Sequence, residues 1–403
     1  MEKDPKTAKD GEVMHKSKLG VRVTGKLDGG NPKHASHIRE DGENTFTVKP
    51  TWEGDPSRCY GLRFAVMAEN SGVDRVPVTV NVDWGTPQHM EYKGVYYVNC
   101  EGEDDWTERA AKVNGQVASV TFDAEPGVSY LSLAPMYNYS TYLAFVDALA
   151  QRSEVEVKLA GKSRHGREIW RLQMPPEETE DAEPVTVVCR NNACETAGNF
   201  MIEGMVRFLF SGEPEAVELM RKFTFHFLPM TNPDGVFDGL ERDTALEDGA
   251  NLGRMNTAPD PAHDTIRTSL ETIKPKLFVN LHNWMIPDVD GLLCNDELYA
   301  RRLSELLPPV GKPPRRYHRE WYSDTIAEIE DRGDVTLYPM AKLPELHKDS
   351  GGTWKDFCRK RFGARAMAVE FPWRGRTVDD MRQLGIALLK AVCLIRIGER
   401  ETP

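Results

Sequence analysis

Between Val21 and Ala124, apolar residues alternate with polar ones in short runs that Gly, Pro, Asn and Asp separate. VRVTGKL, NTFTVKPTW, YGLRFAVMAE, VPVTVNVDW, GVYYVNC and VASVTFDA each carry the period of two that marks a half-buried strand. Among them only DDWTERAAKV reads as a helix. The pattern predicts an all-β unit over residues 21–124, most simply an antiparallel β-sandwich. After Ser129 the pattern changes. YSTYLAFVDALAQR predicts a helix with Ser140 or Thr141 as its N-cap, and EVEVKLAGKSRHGREIWRLQMP predicts two strands around a turn. From Pro184 onward, fully apolar strands (PVTVVC, FTFHFLPM, LFVNLH, RAMAVEF) alternate with helical spacings such as AGNFMIEGMVRFLFSG and VDDMRQLGIALLKAVCLIRIG. Strands apolar on both faces predict an α/β unit over residues 125–403, with a mixed or mainly parallel sheet covered by helices on each side. Residues 1–20 read as a charged, disordered lead-in.

Charge and composition narrow the partners. The chain has 403 residues, with 51 Lys plus Arg against 63 Asp plus Glu, a net charge of −12 that argues against nucleic-acid binding. No run approaches the roughly 20 apolar residues needed to span a bilayer, so no membrane partner is expected. MEKDPKTAKDGEVMHKSK lacks the apolar core of a secretory signal. Seven cysteines (59, 100, 189, 194, 294, 358, 393), odd in number and without a Cys-x-x-Cys, read as reduced thiols. A cytoplasmic location is the corresponding expectation.

In sheets of this kind, ligands gather outside the carboxyl ends of the strands. PVTVVC is followed by Arg190-Asn191-Asn192-Ala193-Cys194-Glu195-Thr196, and FTFHFLPM by Thr231-Asn232-Pro233-Asp234-Gly235. LFVNL ends in His282 and Asn283, and RAMAV ends in Glu370. Two carboxylates, a histidine and the arginines Arg242 and Arg254 would then share one rim. This is material for metal-assisted hydrolysis, with Glu and His for a cation, a second Glu as general base and Arg for developing negative charge. Taken singly, each residue would read as a strand or helix cap.

The order of these motifs resembles the zinc carboxypeptidases of the M14 type, particularly the cytosolic-carboxypeptidase-like branch. GKSRHGREI is similar to that family's Gly-x-Ser-x-x-Gly-Arg segment, and TNPDGVFDGLER to its Asn-Pro-Asp-Gly-Val stretch. Asn251-Leu252-Gly253-Arg254 is similar to the Asp-Leu-Asn-Arg motif, and a β-unit followed by LSLAPMYNYSTYLAFVDAL also matches the branch. The resemblance implies a metallocarboxypeptidase that removes C-terminal residues from peptides or proteins through zinc-activated water. It implies Glu195 and His282 as ligands of one zinc ion, Glu370 as general base, Arg242 as the carbonyl-polarising residue and Arg254 as the anchor of the substrate carboxylate.

The departures bear on activity. The family's His-x-x-Glu reads Asn192-Ala193-Cys194-Glu195 here, and an amide oxygen is a poor ligand for zinc, so Asn192 is a degraded ligand position. Gly253 stands where the family has an asparagine. No tyrosine is assigned upstream of Glu370: Trp354 and Phe357 occupy the neighbourhood and Tyr338 lies far off. Cys189 and Cys194 read as buried small hydrophobes, His226 as a satisfied core histidine and His165 as a solvent-facing turn residue. Of the tryptophans at 284, 321, 354 and 373, core packing is the default, though some could line a groove. Lys312-Pro313-Pro314-Arg315-Arg316 reads as a solvated basic loop. The alternative to a hydrolase is a pseudoenzyme or peptide-binding module with an impaired zinc site. An adhesion or carbohydrate-binding role led by the sandwich has no supporting motif.

Overall fold

The computed structural model describes residues 20–53, 60–100, 104–177, 181–284, 290–294, 297–308, 310–311, 335–339 and 352–401. The lead-in expected over residues 1–20 therefore lies, Gly20 apart, outside the described residues, as do the basic loop at 312–316, Trp321, Cys59 and the Tyr338 side chain.

The first region holds ten strands: β1 Val21–Thr24, β2 Ile38–Gly42, β3 Thr45–Val48, β4 Ala65–Asn70, β5 Val76–Asp83, β6 Val95–Asn99, β7 Trp106–Ala110, β8 Lys112–Asn114, β9 Val117–Ala124 and β10 Gly127–Ser132. They form two five-stranded sheets, β1-β4-β10-β6-β7 and β2-β3-β5-β9-β8. Inward residues of both sheets, among them Val66, Tyr96 and Leu131 from one and Phe46, Val80 and Val120 from the other, share one core. That is the sandwich the alternation predicts.

Three details differ from the sequence reading. Residues 104–113 are not helical: β7 pairs with the edge of β6, and β8 pairs with β9. Cross-strand pairing overrides the local helical preference of Glu-Arg-Ala-Ala. The β3–β5 pairing is parallel, because between them the chain crosses to the other sheet as β4 and returns in its original direction. A boundary at 124/125 falls ahead of β10, which pairs with β4 and β6, so the sandwich runs through Ser132.

Beyond it lie α1 Tyr139–Ala150, β11 Glu156–Lys162, β12 Glu168–Met174, β13 Glu183–Cys189, α2 Ala197–Leu209, α3 Pro214–Lys222, β14 Phe223–Leu228, α4 Pro233–Phe237, α5 Pro261–Ile273, β15 Leu277–His282, β16 Asp290–Cys294, α6 Glu297–Leu306, β17 Val335–Pro339, α7 Trp354–Phe362, β18 Arg365–Glu370 and α8 Val378–Glu401. The N-cap of α1 is Asn138, two residues before Ser140 and three before Thr141, and the free Ser140 N–H is satisfied by Asp28 of the sandwich at 2.7 Å. The mixed sheet has the order β11-β12-β14-β13-β15-β18-β16-β17, with β14, β13, β15 and β18 parallel at its centre.

Alternation along the central strands places two cores. Val185, Val187, Val279, Leu281, Met367 and Val369 pack under α1, α2 and α8, while Val188, Phe278 and Ala366 pack under α5 and α7. Helices α2 and α8 cross at backbone contact. A Cβ on Gly204 would sit 2.2 Å from the Arg382 carbonyl oxygen, and one on Gly385 would sit 2.2 Å from that of Met201. The glycines fix how α2, and the loop before it, lies on the sheet.

His226 in β14 is buried as expected, but among the described residues neither ring nitrogen has a hydrogen-bond partner. Burial, and then the charges of Arg171 and Lys158, depress its pKa from 6.5 to about 3. The unfolded chain takes up a proton that the native state refuses, so stability is lost as pH falls below the unfolded value. The expected slope is about 1.4 kcal/mol per pH unit between about pH 6.5 and 4. Urea unfolding of His226→Phe should lack this slope relative to wild type; equal slopes would show that His226 does not titrate on unfolding.

Candidate active site

The carboxyl ends of β13, β15 and β18 are adjacent, and each delivers part of the site. His282 and Glu370 are register partners on neighbouring parallel strands, so their backbones lie about 4.8 Å apart. Glu195, six residues beyond β13, reaches His282 with a 2.6 Å contact between its Oε2 and the ring Nδ1. Its other oxygen accepts a 2.9 Å hydrogen bond from the Asn192 amide. The side chains of Glu195 and His282 are only 9% and 12% exposed, so this pair is shielded from water.

The electrostatics follow from that shielding. Burial works against a charged imidazole, but the charge and hydrogen bond of Glu195 outweigh it and raise His282 to about 9. Burial pushes the Glu370 carboxyl up to about 8, against the pull of His282, Arg242 and Arg254. Glu370 Oε2 is buried and has no hydrogen-bond partner among the described residues. A buried carboxylate oxygen without a donor is costly, and at such a site it commonly receives water or substrate.

Residues outside the expected set hold the cluster in place. The Asn283 side chain, one residue past His282, accepts the Ala197 N–H at the start of α2 at 3.0 Å. Trp373, three residues past Glu370, donates its indole N–H to Thr196 Oγ1 at 3.0 Å. The loop that carries Glu195 is thus tied to the ends of both β15 and β18. Gly291 of β16 leaves room for this, since a Cβ there would lie 2.8 Å from the Trp284 ring and 3.0 Å from the Glu370 Cβ. The backbone of the Arg242 loop joins from the other side, where the Glu241 carbonyl accepts the Cys194 N–H at 3.0 Å. None of these partners has a local sequence signal, because each pairing spans tens to hundreds of residues.

Arg242 and Arg254 complete the convergence. Both stabilise the charged form of Glu370, and Glu195 and Glu370 in turn stabilise Arg254. Burial, and then the neighbouring Arg242, hold the Arg254 pKa below its ordinary value. The Arg242 guanidinium lies over the Tyr60 ring at 4.9 Å. The structure therefore brings Glu195, His282, Glu370, Arg242, Arg254 and Asn192 into one neighbourhood. Cys189 and Cys194 are buried thiols whose pKa values burial pushes up, as hydrophobic use requires. His165 is half exposed in the β11–β12 turn. Trp354 is fully buried in the core, whereas Trp284 and Trp373 line a pocket beside the site together with Tyr92, Tyr97, Glu91 and Arg374.

Among the described residues no three His, Cys, Asp or Glu side chains form a cation site. Two strong donors, Glu195 and His282, do face each other, and the orphaned Glu370 oxygen lies on the neighbouring strand. The Asn192 amide is turned with its N–H toward Glu195; a half-turn would present its oxygen in the same place. This set fits a divalent cation with two strong ligands and one weak one.

The architecture is a carboxypeptidase-like mixed α/β sheet behind an N-terminal β-sandwich. Residues 142–261 match the zinc carboxypeptidase family model, Peptidase_M14. The chain is 27% identical over 202 residues to cytosolic carboxypeptidase 6 of Homo sapiens, covering 49% of this chain and 38% of that protein. It is 25% identical over 320 residues to an uncharacterized protein of Zymomonas mobilis subsp. mobilis, covering 75% of this chain and 80% of that one. The match thus spans well under half the length of the cytosolic carboxypeptidase. A crystal structure of a metallo-carboxypeptidase from Burkholderia cenocepacia shares the fold, with a TM-score of 0.70 at 17% identity over 94% of this chain and 99% of that one. Together these matches show a zinc-carboxypeptidase-like segment at residues 142–261 and a fold shared with a solved metallo-carboxypeptidase.

Proposed function

We propose that this chain is a metallocarboxypeptidase-like hydrolase that removes C-terminal residues from peptides or proteins. The sandwich through Ser132 and the α/β region after it would be its two structural units. The observation that carries the reading is the side-by-side placement of His282 and Glu370, with Glu195 bonded to His282 and two arginines acting on the same carboxylates. Glu195, His282 and the Asn192 amide oxygen would hold one zinc ion. When bound, zinc supplies a Lewis acid that polarises a carbonyl and eases the deprotonation of water. Glu370 takes the proton from the attacking water and returns it to the leaving amine. Arg242 donates to the oxyanion as it develops, and a donor of that kind is worth about 3 kcal/mol. Arg254 pairs with the substrate's terminal carboxylate by charge-assisted hydrogen bonds. The names of the cytosolic relatives support a cytoplasmic setting.

A second reading, a peptide-binding module with an impaired metal site, is favoured by Asn192, a weak ligand whose amide N–H is turned toward Glu195. Release of C-terminal residues from peptides, measured with zinc supplied, separates the two. For a hydrolase, Arg254→Ala should raise KM by about 10- to 100-fold, the range for a charged hydrogen bond, with kcat changed far less. Peptide binding that depends on Arg254 without any release would instead establish the binding module.

A further inference from the structure

The loop that carries Arg242 is held from two sides: within the α/β region the Asn232 amide donates to the Arg242 and Asp243 carbonyls at 3.0 and 3.2 Å, and the sandwich holds its backbone amides. Gly29 donates its N–H to the Phe237 carbonyl at 2.9 Å, and the Asn31 amide donates to the Gly239 carbonyl at 3.1 Å. Leu62 donates its N–H to the Glu241 carboxylate at 3.1 Å. The strongest hold comes from Glu53. Its carboxylate accepts the backbone N–H groups of Glu241 at 2.8 Å and Arg242 at 2.9 Å, with that of Asp243 at 3.3 and 3.4 Å from its two oxygens. Three successive amides converge on one side chain from a different region of the chain.

The floor beneath the guanidinium comes from the sandwich too. Tyr60 lies under Arg242, and the carbonyls of Tyr60 and Gly61 both accept from the Lys93 ammonium. That ammonium is itself fully buried and packed 4.2 Å from the Trp84 ring. A turn with ordinary structural needs could be closed by water or a neutral side chain. Here a carboxylate is kept where burial, and then Asp243 and Glu241, push its pKa up to about 7 against the pull of the backbone amides. A carboxyl group placed in so unfavourable a setting, with three successive backbone amides aimed at it, points to a demand on geometry beyond closing the turn.

We propose that Glu53 is a positioning residue, which with Tyr60 fixes the backbone of residues 241–243 and so aims the Arg242 guanidinium into the cleft. The sandwich is then a working part of the site. This rests on the role proposed above for Arg242, although the hold itself can be tested without it.

The experiment compares full-length wild type, Glu53→Ala, Arg242→Ala and the double variant with zinc supplied. It reads kcat and KM for C-terminal release together with amide hydrogen exchange. Glu53→Ala should speed exchange at residues 241–243 by about 10-fold or more, while the strands of both sheets stay as protected as in wild type. Its kcat should fall by about 10-fold or more with KM within about twofold, and the double variant should be no slower than Arg242→Ala alone. A loss of folded protein would add to the Arg242→Ala loss, whereas a loss of aim would not. Unchanged exchange at 241–243, or fully additive kcat losses, would overturn the proposal. If wild type releases nothing, the hydrolase reading has failed, and exchange together with a crystal structure of Glu53→Ala decides the hold. Faster exchange with the Arg242 guanidinium displaced from the Tyr60 ring supports it; a guanidinium still in place overturns it.

Discussion

Replacing Glu370 by Gln is expected to cut the rate of C-terminal residue release by at least ~10²-fold, the usual cost of losing an acid–base group. The substitution keeps the shape of the side chain and its place at the end of β18, opposite His282. It removes the ability to accept a proton from water and to hand one to the departing amine. Burial pushes the Glu370 carboxyl up against the pull of His282 and the two arginines, which makes it a stronger base than a carboxylate in water. Its Oε2, which has no hydrogen-bond partner among the described residues, is the atom suited to this. An interaction needed only in the transition state should lower kcat and kcat/KM together and leave KM nearly unchanged. The measurement is steady-state release from a peptide by wild type and Glu370→Gln, with thermal unfolding to show equal folding. Unchanged turnover would mean that another residue, or a contaminating peptidase, performs the reaction.

Why the strand-end residues could be read from the sequence, and the residues that support them could not, has a physical cause. PVTVVC, LFVNLH and RAMAVEF are apolar on both faces, which only burial in a central sheet explains, and a charged residue ending such a run must face the sheet's rim. The alternation of Phe46, Val48, Val80 and Val82 likewise fixes the inward face of the sandwich. What local pattern cannot carry is pairing over long separations. Residues 104–113 form strands because β6 and β9 offer free edges, and β10 joins a sheet whose other members precede it by tens of residues. Asn283, Trp373 and Glu53 act on partners 86, 177 and at least 188 residues away, so nothing near them in the chain marks them out. His226 shows the limit from the other side: its place in FTFHFLPM tells that it is buried, not that its nitrogens go unpaired among the described residues.

Asn192 decides between a working and a disabled site, and the expected result is that wild-type protein loses zinc on dialysis while Asn192→His retains it. Catalytic zinc sites usually have three protein ligands, and only Glu195 and His282 are strong donors here. The amide oxygen of Asn192 is neutral, and the amide currently spends its N–H on Glu195. An imidazole at this position would restore the third strong ligand three residues before Glu195. Gly253 presents no side chain to this position, and even an added Cβ there would remain 3.7 Å from the Asn192 oxygen. Loss of a partner one shell further out already costs 10- to 100-fold in metal affinity, so regaining a direct ligand should raise zinc affinity by at least ~10²-fold. Metal analysis after dialysis reads this without reference to activity, and peptide release then shows whether the gained ion is productive. Tightly held, stoichiometric zinc in wild type would show that the Asn192 amide suffices or that another ligand completes the site. A folded Asn192→His that gains neither zinc nor activity would favour the binding-module reading, with the impairment extending beyond residue 192.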